Sequence, residues 1–549
     1  MANRMWTFFP HRNVERVYIF AADGPDDQFG IMSERFTNYT ALCNAKKGSC
    51  DYPADDSQWT SPALQMLSTM QSVWKGDASV DEAQTEADRD IELQSVSDTH
   101  DHIQWKGDGT AAHPDMYNRN HFVFLPAQSS ASRFVLSYYV MTVNITNPLP
   151  DENYTLVIKG FNSKPKLSCV DPLQPQGTTV PLFDVSFSNG LLSVTVVATD
   201  TPRMTIATEN AQVPTKTDDD AVVSRRLQSR YYLQSPYTSS SQFTQVRFGE
   251  DSWWHQPWRA WFHTMRPHDI TSGAGFNVGS CGEPCLGIKL QMMSKYGFKH
   301  GRIELGWGNQ DYNNVSKIDN PGAVDELVQL KKHGIRPLIL LNSNSGAPAP
   351  ATNYQSVVTQ AAKAGDTQLV LDKNPGFVEG YSGASSIDGR YIQCEYFFTK
   401  ISGSTVKLSK PLLKDVPANT KITTSTFKYL PFAPTNTSDF KATISGWEQY
   451  VLATANLAID TLGTRGQADV GFDLEVWNEL TFGSDFLDIN NYYSPKLYNY
   501  TSPEDVNEAI LNHTAALTQS HPGLFKGVHI GTYSTDQFVS MATHLMVMQ

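Results

Sequence analysis

The sequence predicts a mixed fold, α/β plus all-β, in which an antiparallel β-sandwich precedes an incomplete (β/α)8 barrel of the TIM type. Residues 121–210 contain short β-branched and aromatic runs separated by turn-forming residues, which is typical of an antiparallel sandwich. From residue 266 to 549, buried strand patterns alternate with amphipathic helix patterns, which predicts βα units. Short strand patterns at 347–435 interrupt the alternation, and we predict a small β insertion after barrel strand 3.

The regions outside these two predicted domains are less regular. Residues 1–120 form a poorly defined N-terminal region, in which the acidic stretch 81–101 predicts a solvated helix or a loop. Residues 211–265 predict a polar linker that ends in an aromatic interface segment. A chain of 549 residues is long enough for the two or three domains that these boundaries imply.

The βα units share a repeated helix exit. The segments KYGFK, from Lys295, and KHGIR, from Lys332, each place a glycine between a helix pattern and a buried strand. With this repeat, five barrel strands are predicted, near Gly275, Arg302, Ile335, Val470 and Val528. Because a complete barrel has eight strands, we expect a C-terminally truncated fragment that is inactive by itself.

Composition and charge exclude two classes of partner. A net charge of −13, with no basic run, argues against nucleic-acid binding. The sequence has no apolar run of about 18 residues, so no membrane span is predicted. Residues 1–13 lack the apolar core of a signal peptide, whereas seven Asn-x-Ser/Thr sequons favour a secreted protein. We therefore predict an extracellular location.

Cysteine spacing bears on disulfides and on metals. Cys43 and Cys50, and likewise Cys281 and Cys285, are close enough for local disulfides, and reduced thiols fit the sequence equally well. The spacing matches no zinc pattern, because the pair Cys281 and Cys285 has no second pair with it. We expect no metal and no cofactor.

Residues 472–479, which read FDLEVWNE, carry the chemistry that the sequence predicts. They form a strand pattern that ends in Trp477, Asn478 and Glu479, and barrel enzymes place their chemistry at the carboxyl ends of strands. A glutamate there can protonate a departing glycosidic oxygen, and the asparagine can bind a hydroxyl near the reacting carbon. The alternative interpretation is a surface glutamate at the start of a helix.

This segment resembles clan A glycoside hydrolases, most closely the β-xylosidase and iduronidase branch, over roughly residues 270–549. The resemblance implies that Glu479 is the general acid/base, that Asn478 binds the sugar 2-hydroxyl, and that Arg302 lies beside the nucleophile. It also implies a nucleophile at the end of strand seven, which we expect beyond the end of the chain. Leu480 departs from the family pattern, in which proline usually follows the glutamate.

Strand alternation adds candidates around Glu479. Glu475 and Trp477 share its parity and are expected on the same face. A buried Glu475 needs a partner, and Arg302 is the candidate, either within the site or as a structural ion pair. Three further residues at the ends of strands two and three are expected to line the sugar site: Trp307, Asn309 and Asn342. For Trp307, a lid over the core is the alternative.

These observations predict a retaining glycoside hydrolase that cleaves O-glycosidic bonds of a β-linked glycan, with an oligo- or polysaccharide as its partner. The alternative is a noncatalytic carbohydrate-binding protein built from the sandwich and a degenerate barrel. An unrelated α/β enzyme is disfavoured, because the sequence has neither a glycine-rich phosphate loop nor a serine nucleophile elbow.

Overall fold

The computed structural model describes much of the chain in two compact units, with the boundary between Gly301 and Arg302. The described residues are 16–19, 22, 30–46, 52, 56–76, 89–110, 115–141, 149–174, 178–210, 264–279, 281–343, 347–385, 387, 392–431, 433, 437–476 and 504–531. Within these ranges, no helix combines the length and the apolar character needed to cross a lipid bilayer.

The first unit begins with elements that we did not detect in the sequence. Strand β1 (Val17–Ile19) pairs in parallel with residues 274–277. Two helices follow, Glu34–Lys46 and Pro62–Lys75. The second helix has a clear start, because the Ser61 hydroxyl caps a backbone N–H and proline occupies its first turn. The N-terminal region therefore contains regular structure, including a parallel strand.

Two antiparallel sheets follow in the first unit. Their strands and a short ribbon are β2 (Glu92–Asp98), β3 (Ile103–Trp105), β4 (Met116–Tyr117), β5 (Phe122–Ser130), β6 (Arg133–Val140), β7 (Glu152–Lys159), β8 (Lys166–Val170), β9 (Thr179–Val180), β10 (Leu182–Ser188), β11 (Leu191–Ala198) and β12 (Arg203–Thr208). The sheet orders are β10-β11-β7-β2 and β5-β6-β12-β8-β9. The antiparallel strands predicted from the sequence are confirmed. The prediction of a helix or loop at 81–101 was wrong for β2, which pairs with β7.

One hydrophobic core contains residues from both of these sheets. From the four-stranded sheet, alternate residues of β7 enter it, namely Tyr154, Leu156 and Ile158. From the five-stranded sheet, Phe122 and Tyr138 enter it with their rings stacked at 5.7 Å. Fully burying such side chains stabilises the fold by about 2 kcal/mol each, which explains the alternating pattern in the sequence.

The first unit closes with a βα segment. Helix Pro267–Thr271 leads to β13 (Ala274–Asn277), and helix Cys285–Lys295 follows. A disulfide joins Cys281 to Cys285 across the loop after β13, while Cys50 of the other candidate pair lies outside the described residues. The backbone turns left-handed at Gly297, with a φ of 87°, where side chains with a Cβ are strained.

In its described residues, the second unit contains parallel strands, an antiparallel sheet and three α-helices. The strands are β14 (His300–Gly306), β15 (Arg336–Asn342), β16 (Ala351–Val358), β17 (Gln368–Val370), β18 (Ser382–Ser385), β19 (Tyr396–Ser402), β20 (Thr405–Leu408), β21 (Thr420–Phe427), β22 (Asp473–Val476) and β23 (Ile530–Gly531). The helices are Pro321–Lys332, Ser438–Leu462 and Glu504–Ser520. Gly334 ends the first of these helices with a φ of 66°, so the repeated helix exit is confirmed.

The parallel strands of the second unit are neighbours in the order β14-β15-β22-β23. The pairs β15/β22 and β22/β23 are parallel, and helices separate the strands along the chain. The predicted α/β alternation is confirmed at this level. The four strands correspond to those predicted near Arg302, Ile335, Val470 and Val528.

The strand-rich stretch between β15 and helix Ser438–Leu462 forms an antiparallel sheet with the order β16-β21-β18-β19-β20-β17. Four of its six strands coincide with predicted runs, and β16 and β18 were not predicted. The sheet has a core of its own, in which Tyr396 and Phe398 are fully buried.

Candidate functional site

The two faces of the parallel strands in the second unit differ in chemistry. In β14, Ile303 and Leu305 are buried on one face of the sheet. The alternate residues Arg302 and Glu304 therefore lie on the other face. The register of β15 and β22 places Leu340 opposite Glu475, so alternate residues of these strands share that second face. We call it the polar face and define it by Arg302, Glu304, Asn342 and Glu475.

The central feature of the polar face is an ion pair between β14 and β22. Arg302 Nε lies 2.5 Å from Glu475 Oε2, and Arg302 Nη2 lies 3.1 Å from Glu475 Oε1. The two side chains are 18% and 23% exposed. A bidentate pair of this kind fixes the orientation of the carboxylate as well as its charge. The structure thus brings the predicted partners together, and their role in a site remains a prediction.

A second contact on the polar face joins β14 to β15. Asn342 Nδ2 donates to Glu304 Oε1 at 3.2 Å. Asn342 is only 4% exposed, and its Oδ1 is buried without a hydrogen-bond partner in the described part of the chain. Glu304, in contrast, is exposed. The pair therefore offers two acceptors: Asn342 Oδ1, which is buried and bonds no described group, and the exposed carboxylate of Glu304.

Tyr450 of helix Ser438–Leu462 supports this end of the strands from the opposite face. Its hydroxyl donates to the backbone carbonyl of Leu305, and its side chain is fully buried. Burial, above all, raises the pKa of Tyr450 well above its ordinary value. The hydroxyl therefore stays protonated and remains a donor that holds the end of β14 against the helix.

Trp307, a predicted sugar-lining residue, is 2% exposed. Its indole ring stacks on Tyr429 at 5.8 Å and meets Trp447 edge-on at 5.5 Å, while its Nε1 donates to Gln310. Both the ring and its donor are thus occupied by the protein. This geometry favours the alternative of a lid over the core rather than a stacking surface for a sugar.

Asn309 follows β14 in a short 3-10 turn and is partly buried. Its Nδ2 donates to the carbonyl of Gly306 at 3.2 Å. Because a side-chain amide has a second N–H and a carbonyl oxygen, Asn309 keeps hydrogen-bonding capacity at the carboxyl end of β14. Its predicted role as a sugar ligand remains a prediction.

The opposite, amino end of the strands carries a closed ionic network. Arg336, the first residue of β15, holds Asp473, the first residue of β22, through bonds of 2.8 and 2.9 Å. It also donates to Asp469 Oδ2 and to the carbonyls of Phe472 and Gly527, each within 2.8 Å. Burial alone would lower the pKa of Arg336, but the two carboxylates outweigh it and the pKa is raised.

The residues that the sequence predicts as the chemical centre lie outside the described residues. These are Trp477, Asn478 and Glu479. The structure describes the strand that leads to them as far as Val476, which is 2% exposed and on the apolar face.

Sequence reasoning missed the side-chain interactions of four residues in and around the parallel strands. Glu304 shares the parity of Arg302 two positions earlier, a signal that could have found it. Arg336 and Asp473 each open a neighbouring strand, which could have paired them. Tyr450 lies in the middle of a helix pattern, and no local signal indicates its bond to a strand.

A second polar cluster lies at the start of β7 in the first unit, and its polar side chains bond one another. The Glu152 carboxylate accepts hydrogen bonds from Asn118 at 3.1 Å and Tyr154 at 2.8 Å, and it lies 2.5 Å from His102 Nδ1. Burial would raise the pKa of Glu152, but these bonds outweigh it and the pKa is lowered. The cluster uses its polar groups to satisfy one another.

Comparison of the chain with protein-family models, with curated proteins and with solved structures gave no match.

Proposed function

We propose that this protein is a retaining glycoside hydrolase that cleaves O-glycosidic bonds of a β-linked glycan, with Glu479 as its general acid/base. In this proposal the parallel strands belong to a (β/α)8 barrel and the two antiparallel sheets of the first unit form a sandwich. The observation that carries it is the polar face at β14, β15 and β22, because β22 leads directly into residues 477–479.

The position of the polar face agrees with this chemistry. In barrel enzymes, catalytic groups lie at the carboxyl ends of strands, on the side chains that face inward. Glu475 is on the polar face, and Glu479, four positions later in the sequence, has the same strand parity. In the proposed site, Glu479 therefore faces the substrate on the same side of the strand as Glu475. Arg302 holds this strand in position through its ion pair with Glu475.

The proposed mechanism has two steps. In the first, a second carboxylate attacks the anomeric carbon while Glu479 gives its proton to the glycosidic oxygen, so the aglycone leaves as an alcohol. In the second, Glu479 removes a proton from water, which attacks the same carbon and releases the sugar and the carboxylate. Asn478 donates to the 2-hydroxyl. None of the described residues is assigned as the nucleophile.

The proposed compartment is extracellular. The disulfide between Cys281 and Cys285 supports it, because such bonds persist in oxidising environments and are rare in the cytosol.

The test compares Glu479→Gln with the unmodified full-length protein on aryl β-glycosides. Glutamine cannot supply a proton, so turnover of substrates with poor leaving groups should fall by about 10²–10⁴-fold, while those with good leaving groups should change little in the first step. Glu379→Gln is the matched control, since Glu379 is exposed beside the antiparallel sheet and, among the described residues, accepts a single hydrogen bond, from the backbone N–H of Ile401 at 2.8 Å. Equal loss on both kinds of substrate would contradict the acid role, and glycan binding without hydrolysis would favour the noncatalytic alternative.

A further inference from the structure

We infer that Glu304 and Asn342 form a subsite that binds hydroxyl groups of a neutral sugar and that rejects uronic acids and other anionic sugars. This inference rests on the proposed glycosidase function and names the substrate class of that same site. It is carried by the hydrogen-bond capacity and the charge of the polar face.

The orientation of the Asn342 amide follows from its neighbour. A carboxylate only accepts hydrogen bonds, so the amide must turn its Nδ2 towards Glu304, as the 3.2 Å contact has it. Its Oδ1 then becomes an acceptor, buried and without a partner in the described ranges. An unmatched buried acceptor is unfavourable, so this atom favours a ligand that brings a donor.

Glu304 has the same requirement. One of its oxygens accepts from Asn342, and the carboxylate as a whole is exposed with further capacity to accept. Together the two side chains offer acceptors on neighbouring strands. Adjacent hydroxyl groups of a pyranose ring supply the donors that such a pair needs.

Charge on the polar face separates neutral from anionic sugars. The Glu475 carboxylate is neutralised by Arg302 at 2.5 Å. Among the ion pairs of the described residues, none joins Glu304 to a lysine or arginine. A ligand carboxylate next to Glu304 would therefore meet a like charge and an acceptor, whereas a hydroxyl would meet an acceptor alone.

The experiment measures binding and hydrolysis separately on the full-length protein. Affinities for methyl β-xyloside and methyl β-glucuronide are determined by calorimetry or ligand-observed NMR, and hydrolysis is measured with the corresponding nitrophenyl glycosides. The variants are Glu304→Gln, Asn342→Ala and the control Glu379→Gln. The unmodified protein should bind and hydrolyse the neutral glycoside in preference. Glu304→Gln should weaken neutral binding by roughly tenfold or more, the size of one charge-assisted hydrogen bond, without weakening uronide binding.

The outcomes distinguish failure of this subsite from failure of the proposed glycosidase function. Hydrolysis that prefers the glucuronide, or a Glu304→Gln variant that binds neutral sugars as well as the control does, overturns the subsite and leaves the glycosidase proposal in place. Failure to bind or hydrolyse any glycoside overturns both. Because glutamine keeps the acceptor oxygen for Asn342, unchanged thermal stability of Glu304→Gln will show that the loss of affinity is not a folding defect.

Discussion

The two ends of the parallel strands in the second unit use polar residues in opposite ways. At the amino end, Arg336 makes hydrogen bonds to two aspartates and two carbonyls, and Asp473 is almost fully buried beneath it. At the carboxyl end, Asn342 keeps a free buried acceptor and Glu304 an exposed carboxylate. The amino end thus satisfies its polar groups within the protein, as stability requires, and the carboxyl end retains capacity for a ligand.

The largest effect is expected from Arg336→Ala at the amino end. The change leaves the buried carboxylate of Asp473 without its main cation, which typically costs about 3–5 kcal/mol. Urea denaturation should show this loss in the free energy of unfolding. The matched control is Arg465→Ala, because Arg465 pairs with Asp460 at the surface, where such pairs contribute about 0–1 kcal/mol. Equal losses of unfolding free energy in the two variants would contradict a stabilising role for the buried network at the amino end.

Arg302→Ala should affect activity more than stability. The change frees Glu475 to move, and misplacement of a site by about 1 Å costs roughly 10²-fold in rate. Since both partners are partly exposed, we expect the free energy of unfolding to fall by only about 1–2 kcal/mol. The measurements are kcat/KM on an aryl glycoside and urea denaturation of the same preparation. A large stability loss with unchanged activity would make this pair structural, like the one at the amino end.

The smallest effect is a pH dependence at the amino end. Burial would raise the pKa of Asp469, but the bond from Gly471 N–H and the Arg336 cation lower it below its usual 3.8. A carboxylate with a lowered folded-state pKa stabilises the protein above about pH 3.8, and this contribution is lost as the pH falls through the folded-state value. Asp469 is 56% exposed, so the contribution should stay below about 1 kcal/mol.

The comparison is the difference in unfolding free energy between the unmodified protein and Asp469→Asn at pH 6 and at pH 3. The difference should shrink at the lower pH. A difference that grows on acidification would show that the pKa of Asp469 is raised rather than lowered.

How far the sequence predicts this molecule depends on the range of the interaction. The helix that begins at Pro321 and the buried strand after Gly334 were predicted, because caps, glycine and apolar runs act locally. The pairing of Arg302 with Glu475 was predicted as well, since strand parity carries information along the chain. The role of Trp307 was harder to predict, because its stacking partner, Tyr429, comes from beyond the inserted sheet.

Strand β1 shows the limit of that reasoning most clearly. Three residues, Val17–Ile19, are too few for a period to emerge, and their partner strand lies far along the chain. Tyr450 is a similar case, since only the packing of its helix brings the hydroxyl to the carbonyl of Leu305. Long-range contacts of this kind depend on tertiary packing, which no local pattern encodes.

The pairing of Val17 with Ala274 has a consequence for biogenesis. A ribosome makes β1 early, yet the strand that it pairs with leaves the exit tunnel only after both antiparallel sheets have been made. The entropic cost of closing so long a loop grows only slowly with its length, but the partner strand is made late, so β1 stays an unpaired edge, open to wrong partners, until then. We infer that the antiparallel sheets fold first and that β1 docks afterwards.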